Sequence, residues 1–164
     1  MTETATGIRS PGRSVSATHC IHLALPVAQA QRLFTPAGEE LWVEGWSPRY
    51  LEPDSGTTTP GMVFLTGDGD DATVWTLLRF TQAPYEARYL RVTPASRWGY
   101  VDVRCTPGPD GGTDVQVGYT LTAIHPGGEK ALEAFEPEPF AQMIEGWREA
   151  IEDRLEVLAS ADIS

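Results

Sequence analysis

The stretch EPFAQMIEGWREAIEDRLEVL, Glu138 to Leu158, decides the fold. Phe140, Met143, Ile144, Trp147, Ile151, Leu155 and Leu158 recur at three- and four-residue steps, which is the pattern of an amphipathic helix. Glu145, Arg148, Glu149, Glu152, Asp153 and Glu156 occupy the opposite face. Burying seven such apolar side chains at roughly 1.5–3 kcal/mol each makes this helix a main support of the structure. A run of strand-like segments precedes it, so the pattern predicts an antiparallel sheet curled around a long terminal helix. A sheet of that shape can enclose a cavity.

The segments upstream follow from period and punctuation. Val15, Ala17, His19, Ile21, Leu23 and Leu25 alternate along a first strand, Val15–Leu25. Pro26 opens a short helix that runs through Phe34, because proline suits a first helical turn. A second short helix is expected over Pro36–Val43, and Trp42–Tyr50 reads as an ordered aromatic loop. Five further strands follow, at about Gly61–Thr66, Thr73–Thr81, Tyr85–Thr93, Trp98–Thr106 and Thr113–His125. Glycine, proline and aspartate in their connections (Gly67 to Asp71, Ala83-Pro84, Thr93-Pro94, Pro107 to Gly112) mark turns too short for helical crossovers. The strands are therefore antiparallel neighbours. A lead-in helix over Glu129–Phe135 is separated from the long one by Pro137 and Pro139.

The 164 residues fit one domain, expected over 15–160, with residues 1–14 as a flexible Thr-, Ser- and Gly-rich leader. The leader lacks the apolar centre of a signal peptide, and no apolar run approaches the ~18 residues of a membrane span, so a cytoplasmic protein is expected. A net charge of −11 with a single lysine, Lys130, argues against nucleic-acid binding, which needs clustered cations. Cys20 and Cys105 fall in strand-like runs and read as small buried hydrophobes.

Chemistry-bearing motifs are sparse. His19 and His22 are three apart on a strand, hence on opposite faces, and cannot hold one metal ion. Asp68, Asp70 and Asp71 mimic the start of a calcium loop, but the sixth position is Thr73 and the twelfth Arg79. They read as an acidic turn. No phosphate-cradling glycine loop or nucleophile elbow is present, and no metal or cofactor is expected. Arg91, Asp102 and Arg104 read as surface cross-strand pairs. The aromatic set is the informative one: Trp42, Trp46, Trp75, Tyr89, Trp98, Tyr119 and Trp147, with Met143, are the candidate ligand-binding residues, on the pattern of an apolar pocket with few polar anchors. For each of them, ordinary core packing or an outward-facing position is the competing reading. His19, Tyr119 and Asp102 are the weak catalytic candidates, with His19 as base and either of the others as acid.

The order strand, two short helices, several strands, long helix resembles the START-like, helix-grip (SRPBCC) superfamily, which includes birch pollen allergen-like proteins, polyketide cyclases and heat-shock chaperone activators. Leu33 to Trp46 (LFTPAGEELWVEGW) looks like the early helical segment of bacterial members, and Arg91-Val92-Thr93-Pro94 and Tyr119-Thr120-Leu121-Thr122-Ala123 resemble their later strands. The resemblance spans about residues 15–158. It implies an α+β helix-grip fold, a curved antiparallel sheet of about six to seven strands around the C-terminal helix with two short helices after strand one. It also implies binding of a small hydrophobic or aromatic ligand between sheet and helix. A polyketide cyclase- or dehydratase-like enzyme using the same cavity is the alternative. A protein-interaction module resembling the chaperone activators, working through the acidic helix face, is a third. Whether a protein partner exists, and whether the chain is monomer or homodimer, is open at this level, because fold does not fix function.

Overall fold

Side-chain alternation sorts each strand into an inner and an outer face. The computed structural model describes residues 12–163, so most of the expected leader lies outside the described residues. Seven strands form one sheet: β1 (Ser14–Leu23), β2 (Arg49–Glu52), β3 (Val63–Thr66), β4 (Thr73–Thr81), β5 (Tyr85–Thr93), β6 (Arg97–Pro107) and β7 (Thr113–Ala123). Their order is β1-β7-β6-β5-β4-β3-β2, antiparallel throughout. In β7, Thr113, Val115, Val117, Tyr119, Leu121 and Ala123 are all buried, and the residues between them are not. That is the period-two pattern of a sheet with one covered face.

β1 and β2 sit at opposite edges, and the segment joining them carries α1 (Val27–Arg32) and α2 (Pro36–Glu39) across the inner side. Thr35 caps α2, its hydroxyl accepting from the Gly38 amide at 3.0 Å. Both helices are shorter than the spacing predicts, and β2 lies within and beyond what reads as an aromatic loop. A four-residue edge strand between Pro48 and Pro53 has too few residues to establish a period.

After β7 come α3 (Pro126–Ala131), a 3-10 turn (Leu132–Phe135), α4 (Pro137–Glu152) and α5 (Leu155–Ala159). α4 packs across β1 and buries Phe140, Ile144 and Ile151. The expected single helix is broken at Arg154, whose backbone leaves helical angles (φ −120°, ψ 18°). The Arg154 side chain donates to the Leu41 carbonyl at 2.7 Å, tying the break to the segment after α2. The apolar spacing continues through the break, since Leu158 is buried as well.

Parity corrects two other expectations. Cys105 is buried but Cys20 is exposed, on the outer side of β1 between His19 and Ile21. Arg91, expected at the surface, is buried on the inner face beside Tyr89, whereas Asp102 and Arg104 do form outer cross-strand pairs, with Arg88 at 3.7 Å and Glu86 at 2.7 Å.

Candidate functional site

Between the sheet and the helices lies a cavity of about 330 Å³, near the lower end of ordinary ligand pockets. Strands β3 to β7 supply its floor through Phe64, Trp75, Tyr89, Val101, Val103 and Tyr119. The α1–α2 segment contributes Phe34, Pro36 and Glu39, with Val43 and Trp46 just beyond it, and Trp147 comes from α4. The aromatic rings contact one another around this space. Phe64 and Trp75 stack at 5.8 Å, Trp46 meets Trp75 edge-on at 6.0 Å, and Tyr119 lies 6.4 Å from Trp147. Such offset and edge-to-face pairs hold their rings in place.

Most polar tips in this wall are already committed to the scaffold. Trp46 Nε1 donates to the Pro36 carbonyl, Trp75 Nε1 to Thr66 Oγ1 and the Tyr89 hydroxyl to the Phe34 carbonyl, each at 2.9 Å. The Tyr89 bond ties the α1–α2 segment to the sheet, and all three leave the ring faces as apolar wall. Thr73 and Thr93 pair at 2.7 Å beneath them.

Three ionisable groups differ. Glu39 is enclosed by protein, with no cation or hydrogen-bond donor among the described residues to stabilise its charge, and loss of hydration raises its carboxyl to about 8. Glu39 lines the cavity and keeps part of its surface exposed. Arg91 is only 9% exposed, its guanidinium lies 4.8 Å over the Trp75 ring, and its polar neighbour is the Tyr119 hydroxyl. Burial lowers the Arg91 pKa and raises that of Tyr119 to about 12, so the one stays cationic and the other neutral at physiological pH. Arg97, from the start of β6, also reaches the cavity.

The sequence-derived candidates divide accordingly. Trp46, Trp75, Tyr89, Tyr119 and Trp147 line the cavity. Trp42 sits one layer behind, edge-on to Trp147 at 5.8 Å with its indole N–H on the Leu33 carbonyl. Met143 is half-buried against the core without lining the space. Trp98 is on the outer face, 38% exposed and packed on Tyr100, because β6 turns its even-numbered residues outward. The catalytic candidates are not brought together: His19 Nε2 pairs with Glu145 Oε1 at 2.9 Å on α4, Asp102 is outside the sheet, and only Tyr119 faces the cavity. His22, on the opposite side of β1, meets Asp114 and Asp110 instead, and no group of three such side chains among the described residues is arranged to hold a metal ion.

Sequence reading missed Glu39, Arg91 and Arg97. Two of these had a signal. Arg91 shares strand parity with Tyr89, and Arg97 shares it with Val101 and Val103. Glu39 precedes the cavity-lining Val43 by one helical turn, a weaker hint.

No family model and no curated protein sequence matches the chain. Similar solved structures do exist. Norcoclaurine synthase from Thalictrum flavum, in complex with dopamine and hydroxybenzaldehyde, superposes with a TM-score of 0.60 at 10% identity, over 87% of this chain and 89% of that one. Ara h 8.0201 gives 0.60 at 14% identity, covering 88% and 99%. An uncharacterised protein from Rhizobium leguminosarum gives 0.57 at 14%, covering 92% and 97%. At these identities the likeness shows the fold alone, and the chain has the helix-grip fold, a curved antiparallel sheet around a C-terminal helix.

Proposed function

We propose that this protein binds a small, largely apolar or aromatic molecule in the cavity between sheet and helices. One observation carries the reading: the wall is aromatic and internally hydrogen-bonded, yet it presents Glu39 and Arg91 to the space without salt-bridge partners among the described residues. A purely structural core buries such groups only when they are paired. The same fold in norcoclaurine synthase holds two small aromatic molecules, which supports the size and class of ligand.

The test is native mass spectrometry of freshly purified protein, followed by thermal-shift screening of small aromatic and apolar compounds. Wild-type protein is expected to bind selected compounds at 1:1. Val101→Phe, which pushes a ring into the cavity, should weaken them about tenfold or more, equivalent to roughly 1.4 kcal/mol. Retained affinity in a folded Val101→Phe protein would place the compounds elsewhere.

A second reading, proton transfer in the same cavity, is favoured by Glu39. A carboxyl raised to about 8 is poised to exchange a proton near neutral pH, and Tyr119 lies within its electrostatic reach. Compounds captured above would be incubated with wild type and Glu39→Gln and followed by mass. Conversion by wild type alone supports catalysis. Unchanged compound with both leaves binding as the function.

A further inference from the structure

The described residues include three buried side-chain polar atoms without a hydrogen-bond partner, and two of them are the Nε atoms of Arg91 and Arg97. Both arginines line the cavity. A guanidinium has five N–H donors, and these two have few acceptors: Arg97 Nη1 reaches Ser96 Oγ at 3.0 Å, and Arg91 has the Tyr119 hydroxyl. Neither forms an ion pair among the described residues, where the salt bridges involve other side chains. Asp71 acts on Arg97 through space without pairing with it. The two cations also repel, since Arg97 contributes to holding down the Arg91 pKa. Both also lie over ring faces, Arg91 over Trp75 at 4.8 Å and Arg97 over Phe135 at 5.5 Å. A buried Arg91 and a half-buried Arg97, mutually repelling and with only the unpaired Asp71 carboxylate of the same cavity acting on Arg97, form an incomplete site. A planar carboxylate is the group whose geometry matches their donors.

From this juxtaposition we infer that the Arg91–Arg97–Tyr119 part of the cavity is an anion subsite, which holds the carboxylate of a small aromatic or apolar acid while its hydrocarbon body lies against the aromatic wall. The inference rests on the cavity being a ligand site and adds the chemical class of the ligand. It places the charged end at the arginines, with Tyr119 able to donate its hydroxyl proton in a third hydrogen bond. An amine-bearing analogue of the same size meets like charge there and is rejected.

Three probes with one ring system separate these statements: naphthalene-2-carboxylate, the neutral naphthalene-2-carboxamide and protonated 2-naphthylmethylamine. Their affinities for wild type, Arg91→Gln and Arg97→Gln would be measured by isothermal titration calorimetry at pH 7. Wild type is expected to favour the carboxylate over the carboxamide by roughly ten- to a hundredfold, the range for hydrogen bonds to a charged group. The amine should bind more weakly than the carboxamide. In either variant the carboxylate preference should shrink to within about threefold, with carboxamide affinity kept within the same factor. If Arg91→Gln fails to fold, as judged by circular dichroism, wild type and Arg97→Gln decide the matter. Equal binding of carboxylate and carboxamide by wild type, or a preference that survives both substitutions, overturns the anion subsite and leaves the cavity as a site for neutral ligands. Failure of all three probes to bind overturns the cavity reading and the subsite with it.

Discussion

Replacing Glu39 with glutamine should make the protein more stable, and increasingly so as pH rises. In the unfolded chain a glutamate titrates near its ordinary 4.5, whereas in the folded protein desolvation raises Glu39 to about 8. Between those values the native state holds a proton that the unfolded chain has released, so native stability falls with rising pH across the window. The stabilisation linked to this proton is complete below pH 4.5 and is lost as pH passes through 8. Integration gives a loss of about 1 kcal/mol at pH 5, about 3 kcal/mol at pH 7 and about 5 kcal/mol at pH 9, relative to the acid limit. Glutamine has nearly the same shape and does not titrate. The stability difference between Glu39→Gln and wild type should therefore grow by about 3–4 kcal/mol from pH 5 to pH 9, allowing for partial hydration of the carboxylate by the cavity. The tyrosines whose pKa Glu39 raises, Tyr50, Tyr89 and Tyr119, stay neutral from pH 5 to 9, so the comparison isolates Glu39. Urea denaturation followed by tryptophan fluorescence at pH 5, 7 and 9 measures it. Stability–pH curves that run parallel for the two proteins would refute the reasoning and mean that the carboxylate is solvated or paired when charged.

Other expectations follow from single contacts. Tyr89→Phe removes the hydroxyl bound to the Phe34 carbonyl and should lower stability by about 1–3 kcal/mol in the same assay, by leaving a buried acceptor unpaired. Ile144→Ala opens a hole under α4 and should cost about 2–5 kcal/mol, against a change within about 0.5 kcal/mol for Val157→Ala, which is 66% exposed. Gly99→Ala should abolish or severely impair folding, scored by circular dichroism, because its Cβ would stand 1.8 Å from the Thr120 carbonyl oxygen on β7. His22 should titrate by NMR above its ordinary 6.5, the hydrogen bond to Asp114 being the largest cause, and should fall back toward it in Asp114→Asn; its stabilisation is present at low pH and is lost as pH rises through the folded value.

Hairpin strands β4 and β5 read from sequence with the bounds they have in the structure, since nine residues of alternation flanked by turn chemistry give register and face together. β2 did not, because four residues between prolines carry no period. The helix break at Arg154 was invisible for the opposite reason: the apolar spacing runs through it, and the break coincides with a long-range hydrogen bond from Arg154 to the Leu41 carbonyl. Among site residues, the inward-facing aromatics of β4, β5 and β7 follow from parity. Trp98 carried its own warning, since Asp102 and Arg104 share its face and mark it as the solvent side. Arg91 was misplaced because a lone charged residue on an inner face contradicts ordinary desolvation cost. That contradiction is the feature that singles out the site, as rule-breaking residues often do. Glu39 depends on where α2 comes to rest over the sheet, which local sequence does not specify.

The most direct test of the account is a crystal structure of the protein soaked with naphthalene-2-carboxylate. The account predicts density for one ring system enclosed by Trp75, Tyr89, Tyr119 and Trp147. A cavity closed by its own side chains, with the compound absent or bound on the outer face of the sheet, would contradict it.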